Sequence, residues 1–131
     1  MNILKPTDIE EQIRTALAEY LNVYVRPLPA SYLLPNILVT ANGGRTANTI
    51  DTFTVTLSAR AETDADALDY LNDALGILAE QAAAQVGAIR NVSINSLASW
   101  GTDPVRPDLK LCTATVLVTA HRTTKTINKK T

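Results

Sequence analysis

The chain has 131 residues, 12 of them basic and 13 acidic, with a net charge of -1, and it contains one cysteine and one histidine. That length fits one domain around one core, since two half-length cores would each need a disulfide or a metal to hold together. The lone Cys112 and the lone His121 exclude an internal disulfide, a thiolate zinc site and a histidine cluster, and the near-neutral charge argues against a general nucleic-acid binder.

The single cysteine suits a reducing compartment, and since Met1–Pro6 lacks the basic-then-apolar pattern of a leader and no apolar run has membrane-spanning length, the chain is expected to be soluble. Thr7-Asp-Ile-Glu10 has the form of a capping box, with Thr7 as the cap and Glu10 reaching back. Ile9, Ile13, Ala16, Leu17 and Tyr20 then recur at helical spacing, which predicts a first helix over residues 7–21. Val23-Tyr-Val25 favours extended backbone, but Pro27 and Pro29 confine it to a short edge strand or a connector. A strand is predicted over 33–41, followed by a turn or hairpin tip at 42–48, where Asn42-Gly43-Gly44 tolerates positive φ.

Residues 50–60 alternate cleanly: Phe53, Val55, Leu57 and Ala59 on one face, Thr52, Thr54, Thr56, Ser58 and Arg60 on the other. Thr63-Asp-Ala-Asp66 caps a second helix whose apolar stripe is Leu68, Leu71, Leu75, Leu78 and Ala82, with Asp69, Asp73 and Glu80 opposite. Gly76 falls near the polar face, and either simple tolerance or close approach by a partner accounts for it. Strands are predicted over 89–97 and 109–121, the latter repeating the Thr-rich face of 50–60, with a Pro- and Gly-containing connection at 98–108. The fold class is therefore α+β: a mixed or antiparallel sheet with two principal helices on one face, in the order helix, three strands, helix, two strands.

No phosphate loop, dinucleotide fingerprint, zinc-protease motif or calcium loop is present. Asp66, Asp69 and Asp73 recur at offsets of three and four, as acids on any exposed helix face do, so a solvated face is favoured over a metal or catalytic site, with an intersubunit surface as the third reading. Cys112 reads as a packing residue and His121 as a strand-end surface residue. Trp100 is either a recognition anchor or a loop plug. Charge is segregated: residues 62–80 carry acids without Lys or Arg, while 122–131 form a basic tail that includes Lys125. That tail has three readings: contact with the Asp69 and Asp73 face of a neighbour, approach to DNA phosphate, or a solvated end.

The helix Ile9-Glu-Glu-Gln-Ile-Arg-Thr-Ala-Leu-Ala-Glu-Tyr, the segment Pro29-Ala-Ser-Tyr-Leu-Leu-Pro-Asn-Ile-Leu-Val39, the strand Phe53-Thr-Val-Thr-Leu-Ser-Ala-Arg60 with its following acidic helix, and the strand Ala114-Thr-Val-Leu-Val-Thr-Ala120 come in a particular order. That order resembles the tail terminator, or tail completion, proteins of long-tailed bacteriophages and related neck-region subunits. The resemblance implies a non-enzymatic structural protein without a cofactor, forming a homo-oligomer, hexameric in the family. Such a ring caps the tail tube, touches the head-tail connector proteins and sits near DNA in the channel. It would lie in the virion tail or neck, and in the host cytoplasm during assembly. Another neck or minor tail subunit is the close alternative; a ligand-binding module needs an enclosed apolar pocket, and an enzyme needs a buried constellation recruiting His121 or the acids. Candidate partner-interface residues are Arg45, Trp100 and Arg106 on projecting segments, Arg60 on the polar strand face, and Asp69, Asp73 and Lys125 in the charged regions.

Overall fold

Residues 1–48 and 50–131 are described in the computed structural model. The elements run β1 (Asn2–Lys5), α1 (Ile9–Ala18), β2 (Val23–Val25), β3 (Asn36–Ala47), β4 (Ile50–Ala61), α2 (Asp64–Ala83), β5 (Ile89–Thr102), β6 (Lys110–Ala120) and β7 (Thr123–Thr126). The main sheet has the order β2-β3-β4-β6-β5, in which β2 is parallel to β3 and the other pairs are antiparallel. Both helices lie on one face, as the α+β reading requires. The alternation in the central pair explains the layering: Val55, Leu57 and Ala59 stand opposite Val116, Ala114 and Cys112, and all six side chains are buried. Ile13 and Leu17 of α1 and Leu71, Leu75 and Leu78 of α2 close over them. The other face carries Thr40, Thr54, Thr56, Ser58, Thr113, Thr115 and Leu117, partly buried, and among the described residues no helix roofs it.

The start of α1 differs from the capping-box expectation. Asp8, one residue later than Thr7, is the cap and accepts from the Glu11 N–H at 3.2 Å, while Thr7 is buried. Glu10 turns away from the helix end because β2 stops at Val25 and leaves the next edge donor of β3 without a strand partner. The Glu10 carboxylate accepts that donor, the Ala41 N–H, at 3.0 Å and binds Arg26 at 2.7 Å. The capping of α2 follows expectation, with the Thr63 hydroxyl accepting from the Asp66 N–H at 3.2 Å.

Two predicted loops are strand. The expected tip at 42–48 is mostly the continuation of β3: a register shift between Ala41 and Gly44 absorbs Asn42 and Gly43 (φ 98), after which Gly44 pairs with Phe53 and Ala47 with Ile50. A Cβ on Gly44 would clash with the Thr52 carbonyl oxygen, so this glycine permits close strand approach and not a turn. Likewise β5 runs to Thr102 instead of ending at 97, because three register shifts, at Ile89/Asn91, Ile94/Ser96 and Ser96/Ser99, let it keep pace with β6. The connection shrinks to 103–109, closed by Asp103, whose carboxylate accepts the Val105 and Arg106 N–H groups.

The ends of the chain depart furthest from the sequence reading. The supposed basic tail begins with Arg122 anchored on Asp51, and Thr123–Thr126 pairs antiparallel with Asn2–Lys5 as a separate two-stranded ribbon. The backbone amide and carbonyl of Ile127 extend the ladder to Met1.

Candidate functional site

The seven candidate interface residues are spread over the molecule. Arg45 sits past the β3 bulge, opposite Thr52 and exposed. Asp69 and Asp73 are exposed on the outer side of α2, and Lys125 is exposed in the ribbon, opposite Ile3. Trp100 belongs to a strand and not a loop: it pairs with Cys112 in β5, and half of its surface is open, so it plugs nothing.

Arg60 and Arg106 meet at the same loop. The Arg60 side chain donates from Nε to Asp103 at 2.7 Å and is buried, although its register keeps it on the strand face on which alternation placed it. Burial pushes the Asp103 carboxyl up, but the Arg60 hydrogen bond and the Val105 and Arg106 N–H groups outweigh it and hold the group below the usual carboxylate range. Arg106 is exposed and donates to Asp108 at 3.0 Å; that bond lowers Asp108 and raises Arg106. The loop thus spends one of the two arginines on its own shape and presents the other to solvent.

A second ion pair ties the ribbon to the sheet. Arg122 donates to both oxygens of Asp51, at 3.0 and 3.1 Å, and Thr46 donates to the same carboxylate at 2.7 Å. The Arg122 bond, then the Thr46 hydroxyl, hold Asp51 below its ordinary range. This anchor joins the end of β6, the β3–β4 hairpin and the root of the ribbon, and sequence reasoning missed it because its partners lie 71 residues apart.

The surface concavities are grooves between elements. One of about 400 Å³ separates the ribbon from the sheet end and is lined by Leu4, Ile50, Arg90, Thr119, His121 and Arg122. Another, of about 410 Å³, runs between the start of α1 and the hairpin, with Ile9, Arg45 and Phe53 in its wall. A third, of about 550 Å³, lies between the end of α1 and α2 and includes Tyr20, Asp73, Gly76 and Glu80. Among the described residues no group of three His, Cys, Asp or Glu side chains is placed to hold a metal ion, and no helix is long and apolar enough to cross a membrane. Burial raises the Cys112 thiol above its ordinary pKa, which suits a packing residue.

What remains prominent is a set of features suited to contact with other chains. The edge strand β5 exposes Ile94, Leu97 and Trp100; the ribbon exposes Met1 and Leu4; and α2 shows a face of acids without a basic neighbour in its own sequence. Neither comparison with known protein-family models nor comparison with characterised proteins gives a match to this chain.

Proposed function

We propose that this protein is a structural subunit of a long-tailed bacteriophage, a tail terminator that assembles as a ring, six copies by the family resemblance, on the end of the tail tube and faces the head-side connector. The observation that supports it is the agreement between the element order the resemblance implies and an α+β domain that leaves an edge strand, a ribbon and a hairpin free for repeated contacts. A closed ring needs heterologous contacts, in which one patch meets a different patch on the next copy, and a domain with separate projecting and receiving features supplies both kinds. Arg45 and Trp100, a guanidinium and an indole on exposed strand positions, are the side chains assigned to partner contact.

The test is end-capping of purified tail tubes, followed by electron microscopy with the protein labelled. Label confined to one end of each tube is the expected result, and binding along the tube wall or none at all overturns the reading. With Trp100→Ala, end-capping falls on the order of tenfold while the subunit loses less than about 1 kcal/mol of folding stability, because a half-exposed side chain contributes little to its own core.

A further inference from the structure

The β1/β7 ribbon is the part of this molecule that the subunit's own core explains least. Among the described residues its strands pair only with each other, which leaves the outer edge of each without a strand partner, and none of its residues belongs to the buried core cluster. Met1 and Leu4 are 79% and 67% exposed. A two-stranded ribbon is marginal alone in water, and this one is fixed at its root by the Arg122 bonds to Asp51.

The main sheet offers three stretches of open edge among the described residues. The β2 edge is three residues long and runs into Pro27 and Pro29. The outer side of β3 past Thr40 has its Ala41 N–H taken by Glu10 and carries Arg45, which repels a basic strand. The β5 edge is different: it spans 14 residues and, although bulged, contains from Asn91 to Thr102 neither a charge nor a proline, two of the devices that ordinarily keep edges from pairing. Its bulges divide it into two regular stretches, 91–94 and 99–102, each the length of a ribbon strand, and Ile94, Leu97 and Trp100 are exposed along it.

Charge selects the occupant. Residues 1–7 and 122–131 contain Lys5, Arg122, Lys125, Lys129 and Lys130 and no acid, whereas α2, which packs on β5, turns Asp66, Asp69, Asp73 and Glu80 to solvent. We infer that the β1/β7 ribbon of one copy adds in line to the β5 edge of a second copy, extending its sheet and setting the basic ribbon beside the acidic helix. The contact is head-to-tail, since each copy has one ribbon and one receiving edge, and it depends on the ring reading only for the number of copies.

Two full-length variants test it. Ile94→Lys with Leu97→Lys places charges on the receiving edge at exposed positions; Leu4→Pro with Thr124→Pro removes ribbon donors and leaves the core untouched. Circular dichroism confirms folding of each. In light scattering, the wild type self-associates and each variant alone associates on the order of tenfold more weakly or worse. An equimolar mixture restores association but stops at a 1:1 dimer, because it holds one intact edge and one intact ribbon. A monomeric wild type, a ribbon variant that self-associates like wild type, or a mixture that stays monomeric overturns the inference. Tube capping measured on the same variants separates the two proposals: capping that survives in both leaves the terminator reading standing with a different ring contact.

Discussion

Asp103 shows how a single residue shapes the loop between β5 and β6. It accepts from the Arg60 guanidinium and from two backbone N–H groups at once, so Asp103→Ala leaves a buried cation unpaired and undoes the turn. The expected loss is about 2–4 kcal/mol in urea unfolding, and adding Arg60→Met to that variant restores part of it by removing the stranded charge. The same residue sets a pH dependence. The carboxyls of Asp103 and Asp51 are held below the usual value near 4, so their contribution is complete above that pH and is lost as pH falls through the depressed folded values. Acid unfolding is therefore expected below about pH 4, with a shallower stability-versus-pH slope there in Asp103→Asn. Two glycines make an opposite pair. Gly44→Ala forces a Cβ against the Thr52 carbonyl and is expected to cost about 1–3 kcal/mol, whereas Gly76 sits mid-helix with nothing within 4 Å of an added Cβ, and Gly76→Ala should stabilise the subunit by about 0.5–1 kcal/mol. A Gly76→Ala chain that is more stable but assembles less well would place a partner's backbone against that helix face.

Among the elements, the ribbon and the central strands should differ most in dynamics. β4 and β6 are paired on both sides and covered by α2, so in native-state hydrogen exchange their amides are expected to open only with global unfolding. The amides of β1 and β7 should exchange fastest of any strand in the isolated subunit and gain protection on assembly; equal protection in monomer and assembly would show that the ribbon is held by its own chain. What the sequence revealed also divides by element. The helices and the strands 50–60 and 109–121 were legible because period 3.6 and period 2 burial leave a pattern in every residue. The continuations of β3 through Asn42–Ala47 and of β5 through Ala98–Thr102 were not, because bulges break alternation and Gly-rich composition marks a close strand approach as readily as a turn. The ribbon was invisible since its register joins residues more than 110 positions apart and neither short strand has a buried face. Of the candidate interface residues, only Arg60 is buried, paired with an acid in a loop whose fold no local pattern specified.

For the whole molecule, charge segregation makes a separable claim about how copies meet. The net charge of -1 is too small to drive or oppose association, but the acids of α2 and the lysines of the two chain ends form patches of opposite sign on one molecule. Exposed pairs of this kind contribute only about 0–1 kcal/mol each once docked, because water and salt screen them. Their larger effect is on encounter: at low salt, opposite patches steer copies into register, and at 0.15 M the Debye length of about 8 Å confines that steering to short range. The expected outcome is that self-association of the wild type slows by tenfold or so between 0.02 and 0.5 M salt while dissociation changes little, as read from relaxation after dilution or mixing. Asp69→Asn with Asp73→Asn should flatten the salt dependence of the association rate without altering the dissociation rate. A dissociation rate that rises steeply with salt would instead show that ion pairs, and not the apolar β5 edge, hold the copies together, and the double Asn variant would then lose the assembly altogether.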